Sequence, residues 1–256
     1  MVDTAMILEQ PFITITNIIW SFDRATGQLQ LLLVQRASEP DAGRWALPET
    51  FMRANESADE AALRLIKEKI GLNLAAFHTE QLATFTDQRR SEGARALSLA
   101  YMTFLPEMPP LRAGYGALAA QWFTFSVHQT QFQLRYGDLR FVTAAADSAE
   151  RYYQQLHLPE PATHLAFDHE WILAIACARI KNKLDYQPNI LLVLGEHFTL
   201  KAARTIYAAF LGVAVQAIDN SNFKKTHQHL FVEVGTVSNR SIGRPAKLFR
   251  LASVQD

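Results

Sequence analysis

The chain has 256 residues, 49% of them hydrophobic and 20% charged, and its 25 basic side chains balance its 25 acidic ones. That composition describes an ordinary folded protein with one large or two modest cores and excludes a disordered polyelectrolyte. A single cysteine, Cys177, excludes an internal disulfide or a cysteine-rich metal site, and its apolar helical surroundings read as those of a small buried side chain. No apolar run approaches the ~20 residues of a membrane span. The first residues, MVDTAMILEQPF, carry an acid and no basic stretch, unlike a signal peptide. A reducing cytoplasm is the expected setting. Neutrality is uneven, however: from Asn220 onward Lys224, Lys225, Arg240, Arg244, Lys247 and Arg250 face only Glu233 and Asp256, a local excess that suits a polyanionic partner.

In chain order, FITITNIIWSF (12–22) is β-branched and aromatic, as a buried strand should be, and after a turn LQLLLVQR (29–36) completes a hairpin. A loop spans 37–51. Ser57 with Glu60 three residues later is a capping box, and the apolar positions that follow, closed by Gly71, predict a helix. Strands are expected at 81–87 and 97–105 around the charged loop DQRRSEGAR, then a loop at 106–117 and a strand at 121–127. Residues 131–144 alternate and turn at Gly137-Asp138, a second hairpin. Near residue 160 the character changes. Helices are expected from Asp168 as cap to about 182, from Thr199 to Gly212, and over 220–230 with Asn220 or Ser221 as cap; two strands, 231–237 and 247–251, then enclose a basic loop. Strands with one long helix, followed by three helices and a hairpin, predict a protein of α+β class: an α+β or α/β sandwich over 1–160 and a winged helix-turn-helix over 161–256.

The stretch ALPETFMRANESADEAALRLIKEKIGL (46–72) resembles the signature of the Nudix family, G-x5-E-x7-R-E-U-x-E-E-x-G-U, with U a bulky aliphatic residue. Glu56, Arg64, Ile66, Glu68, Gly71 and Leu72 match; Thr50 stands at the glycine, and Leu65 and Lys69 replace two glutamates. The resemblance implies a Nudix α/β/α sandwich with a mixed sheet. Nudix pyrophosphate hydrolysis needs divalent cations held by several carboxylates on one helix face. Leucine offers no oxygen, and a lysine beside Glu68 repels a dication. Glu56, Arg64 and Glu68 are therefore read as relic positions, with Arg64 in a structural ion pair and no catalysis expected. Lys69 is a candidate to neutralise a phosphate directly.

Segments 80–87, 98–106, 167–188, 198–212, 222–226 and 243–251 are further similar to the Nudix-related transcriptional regulators, in which a Nudix domain is fused to a C-terminal winged helix. Those of NAD metabolism bind ADP-ribose or a related nucleotide, which implies a homodimeric, operator-binding regulator, a repressor by expectation, without cofactor. Residues 125–160 depart from that pattern. Guanidinium groups pair with phosphates in a bidentate way, so Arg89, Arg90 and Arg95 are first candidates for the ligand, Arg36 and Arg44 second, with Phe85 or Trp45 bordering it. On the double-stranded DNA side, Ser221, Asn222, Lys224, Lys225, Thr226, Gln228 and His229 suit a major groove, and Arg240, Arg244 and Lys247 suit the backbone or minor groove. Phe223, Leu230 and Phe231 are assigned to the core, and His169 to a structural role. His78, His128, His157 and His197 show no metal-ligand spacing. Two alternatives stay open: an active pyrophosphatase using Glu56 and Glu68, and a regulator whose effector is a sugar or sugar phosphate.

Overall fold

The computed structural model describes residues 10–70, 78–90, 94–128, 131–143, 148–156, 164–237 and 245–252. The predicted first hairpin forms from β1 (Phe12–Asp23) and β2 (Gln28–Arg36). Asp23 closes its turn by accepting from the Ala25 amide at 2.8 Å, and Gly27 takes the left-handed φ of 69° that the turn requires. β1 also pairs in parallel with β6 (Ala96–Phe104), so both its edges are satisfied and it is buried along nearly its whole length. With β5 (His78–Phe85), β7 (Ala117–His128), β8 (Gln131–Tyr136) and β9 (Leu139–Thr143), the mixed sheet runs β5-β6-β1-β2-β7-β8-β9. Within 37–51, expected as loop, two short strands form, β3 (Trp45–Ala46) and β4 (Glu49–Phe51), and pair with β2 and β1.

Alternation along β1 splits its side chains between two layers. Ile15 and Ile19 meet Ala61, Ala62, Leu65 and Ile66 of α1 (Ala58–Ile70), whereas Ile18, Trp20 and Phe22 join the cluster built around α3 (His169–Lys183). Helix α1 covers one face and α3 the other, which is the expected sandwich. The capping box forms: the Ser57 amide donates to Glu60 at 2.7 Å, and the Glu60 amide to Ser57 Oγ at 3.2 Å. A helix the sequence reading did not foresee, α2 (Ala149–Gln155), follows Ser148, whose hydroxyl accepts from the Arg151 amide.

The C-terminal part comprises β10 (Phe198–Thr199), α4 (Leu200–Leu211), α5 (Asn220–Thr226), β11 (Phe231–Thr236) and β12 (Lys247–Leu251), with strands ordered β10-β12-β11. Thr199 caps α4 and Gly212 ends it in the left-handed conformation, both as predicted. Two caps differ from expectation. Asp219, one residue before the two candidates, caps α5 by accepting from the Asn222 amide at 2.7 Å. Asp168 sits at the cap position of α3 but its carboxylate makes no cap bond, because it pairs elsewhere.

Helix α3 does not belong cleanly to either half. It touches β5 and β9 on one side and α4 with the Asn189–Leu194 turn on the other, so its apolar residues surround it instead of forming one stripe. Cys177 is fully buried there, and burial pushes its thiol well above the ordinary value. The core continues through the junction: Phe210 of α4 meets Trp20 at 5.7 Å and Phe125 at 5.0 Å. Arg24 donates to the Leu194 carbonyl at 2.6 Å, and Glu80 accepts from Asn189 at 2.6 Å.

Candidate functional site

The three relic positions form one closed ion network at the start and along the exposed side of α1. Arg64 donates through Nε and one terminal nitrogen to both oxygens of Glu56, at 2.8 and 2.6 Å, and through the other to Glu68 at 3.0 Å. The predicted structural ion pair is therefore present. Thr50, the departure at the glycine position, supplies a hydroxyl that accepts from Arg64 at 3.2 Å, a bond glycine cannot offer. The sequence reading missed Arg53, which donates to Glu68 at 3.1 Å while its amide donates to Glu56 at 2.7 Å. Hydrogen bonding from Arg64, opposed by partial burial and helped by the Arg53 amide, holds the Glu56 carboxyl down to about 2.

Leu65 is fully buried among Ile19, Leu32, Val34, Ala46, Leu105 and Ala120. Lys69 lies on α1, but its side chain is outside the described residues. This donor set does not fit a divalent cation: both carboxylates are already bound by guanidinium groups, and the third position is apolar. Among the described residues no three His, Cys, Asp or Glu side chains converge as a metal site requires.

The ligand candidates gather toward the end of the sheet where β1 begins, but with different partners. Arg90 is a correction to its phosphate role: it is buried and forks onto Asp168 with two 3.0 Å bonds, while Tyr153 of α2 donates to the same carboxylate at 2.8 Å. Further hydrogen bonds help offset the desolvation of such a pair, and here the Tyr153 hydroxyl and the Ala96 carbonyl supply two. Arg89 pairs with Asp87 at 2.7 Å and Glu150 at 3.0 Å. Arg95 is exposed. Phe85 and Trp45 are core residues. Arg44 binds Asp41 at 2.8 Å, and Arg36 donates to the carbonyls of Pro40 and Ser38 while lying over the Phe167 ring, 4.4 Å from its centroid. Adjacent residues thus take the two arginines: Phe167 takes Arg36, and Asp168 takes Arg90.

His169 follows, fully buried, and accepts the Leu47 amide at Nδ1 at 3.0 Å, the structural role expected of it. Asp168 and His169 thus tie the start of α3 to Arg90 and Leu47, and Glu170 accepts the amide of Leu165, in the segment leading into the helix, at 3.1 Å.

On the candidate DNA surface, Ser221, Asn222, Lys224, Lys225, Thr226, Gln228 and His229 are all exposed, and Phe223, Leu230 and Phe231 are buried as predicted. Arg204 of α4 supports the start of α5 by donating to Asn220 at 3.2 Å and to the Val215 carbonyl at 3.0 Å. His227, which the sequence reading passed over, fastens its end. One ring nitrogen faces the Phe223 carbonyl at 2.9 Å and the other faces Asp185, just past α3, at 3.1 Å. Tyr207 of α4 donates to the neighbouring Leu184 carbonyl and meets the His227 ring edge-on at 5.0 Å. Lys247 pairs with Glu233 across the hairpin at 2.7 Å. Arg240 and Arg244 lie outside the described residues.

Comparison with known proteins agrees with both halves. The family model described as NUDIX domain matches residues 15–143, and the one described as NrtR DNA-binding winged helix domain matches residues 190–251. The "ADPR responsive transcriptional repressor NtrR" of Acinetobacter baylyi is 27% identical over 249 residues, covering 94% of this chain and 82% of that protein. Among solved structures, a MutT/nudix family protein from Enterococcus faecalis is 32% identical with a TM-score of 0.82, covering 95% of this chain and 87% of that one. Shewanella oneidensis NrtR, solved with a 27mer DNA, shares the fold at 22% identity and a TM-score of 0.63, over 94% of this chain and 93% of that one. With a Nudix match over half its length and a homologous structure along nearly all of it, the chain belongs to the Nudix family and carries an NrtR-type winged helix at its C-terminal end.

Proposed function

We propose that the protein is a ligand-responsive transcriptional repressor whose Nudix domain binds ADP-ribose, or a closely related nucleotide, without hydrolysing it. The observation that carries the reading is the closed network of Glu56, Glu68, Arg64 and Arg53: the box retains its frame, yet its carboxylates are bound by the chain's own cations. A relative similar along 94% of this chain is described as ADPR responsive, which supports the choice of effector.

Binding of double-stranded DNA falls to α5 and the wing. The exposed Ser221, Asn222, Lys224, Lys225, Thr226 and Gln228 face base edges and phosphates, and Lys247 exchanges Glu233 for phosphate. One small winged helix reads few base pairs, so two copies act together on a palindrome in the cytoplasm. We place the functional division after α3, because α3 is fixed to the sheet at its start and the winged-helix match begins at residue 190. Effector and operator are coupled only to the extent that ADP-ribose binds the DNA-competent and DNA-incompetent arrangements with different affinity.

The test is fluorescence anisotropy on an operator selected from random duplexes, with and without ADP-ribose, beside a turnover assay with magnesium. An ADP-ribose-dependent change in DNA affinity, with ADP-ribose recovered intact, is expected. Magnesium-dependent cleavage abolished by Glu68→Gln overturns the reading in favour of a pyrophosphatase.

A further inference from the structure

Phe167 has a φ of 54°, in the left-handed region, where a bulky side chain is a steric outlier. Such a conformation persists only where its surroundings over-determine it, and residues of this kind concentrate at ligand clamps. The surroundings here are explicit. The Phe167 amide donates to Asp41 at 3.1 Å, the preceding Ala166 amide donates to the Trp45 carbonyl at 2.8 Å, and Asp41 is itself left-handed and bound by Arg44. The ring that results is half-buried beside the Leu65 cluster, on the α1 side of the sheet, where Leu111, Ala117 and Trp122 are also only partly covered.

Over that ring lies the Arg36 guanidinium, with its Nε and one terminal nitrogen engaged in the plane by the carbonyls of Pro40 and Ser38. Among the described residues no carboxylate stands within ion-pairing distance of Arg36, whereas Arg44, Arg64, Arg89 and Arg90 each have one. Two of its five N–H donors are thus taken by carbonyls and its inner face rests on an aromatic ring. What remains for a ligand is its outer face and the Nη1 side of its edge. A phosphate prefers the edge of a guanidinium, through paired N–H donors, whereas a planar electron-rich ring prefers the face.

We infer that Arg36, backed by Phe167, is the stacking platform for the nucleobase of the effector. The inference rests on the nucleotide-sensing reading above and assigns one end of that ligand.

Calorimetry on the full chain separates the possibilities with two probes, ADP-ribose and ribose 5-phosphate. Arg36→Lys keeps the charge and removes the flat face; it is expected to weaken ADP-ribose about tenfold and to leave ribose 5-phosphate unchanged. Phe167→Asn, which tolerates the left-handed backbone but withdraws the support, is expected to weaken ADP-ribose in the same selective way, and Phe167→Trp to preserve it. An Arg36→Lys variant with wild-type affinity for ADP-ribose overturns the inference, as does an equal loss for both probes. If the wild-type chain binds no ADP-ribose, the nucleotide reading fails and this inference with it; if it binds and the variants do not differ, only this inference fails.

Discussion

Helices α1 and α5 both begin at a side-chain cap and both carry basic residues, yet they use them in opposite ways. At α1 the charges pair within the chain: Arg64 of the helix and Arg53 ahead of it are bound by Glu56 and Glu68. On α5 the charges turn outward, with Lys224 and Lys225 exposed above a core of Phe223, Leu230 and Phe231. A carboxylate already held by guanidinium groups has less to offer a cation, whereas an exposed lysine keeps its charge available to an anion. Within one chain, then, the pairing of a charge tells more about its task than its presence in a motif.

Four perturbations test this contrast, in order of expected size. Asp168→Ala leaves the buried Arg90 guanidinium without its fork, and should lower unfolding free energy by roughly 3–5 kcal/mol in urea titrations. Leu65→Glu restores the residue type of the family signature but puts a carboxyl into an apolar cluster. We expect a loss of about 2–4 kcal/mol and no gain in Mn²⁺ binding by electron paramagnetic resonance, since Glu56 and Glu68 stay occupied.

The third is acid. Glu56 is held from 4.5 down to about 2, so its contribution is complete above pH 4.5 and is lost as pH falls from there toward 2. Circular dichroism melts across that window should fall less steeply for Glu56→Gln than for the wild type. The last should barely touch the fold: Lys225→Ala with Arg244→Ala changes stability by no more than about 0.5 kcal/mol. It should nonetheless weaken operator binding and flatten the dependence of log affinity on log salt by roughly two per bound copy, about four for two copies on one operator. An unaltered slope removes these residues from the DNA surface.

Most of the fold is legible in the sequence because its signals are local. Strand alternation, the Ser57–Glu60 box, the Thr199 cap, Gly212 and the turn at Gly137 each act within a few residues, and each forms as read. Where local reading failed, a neighbour or a distant partner intervened. Asp219 took the α5 cap because its short carboxylate reaches the Asn222 amide, whereas Asn220 and Ser221 are already inside the helix. Asp168 looked like a cap and Arg90 like a phosphate ligand because nothing near either residue shows that they pair with each other.

By itself, then, the sequence determined the two-part architecture, the preserved box frame with its two missing carboxylates, and the basic excess of the final 37 residues from Asn220. Only the tertiary structure decided which charges are available. It joined Arg90 to Asp168 across 78 positions, set Arg36 on a left-handed Phe167, tied His227 to Asp185 and made α3 the shared support of both halves. The physical reason is that secondary structure follows from spacing along the chain, whereas an ion pair or a stacked ring depends on distances in space that spacing does not encode.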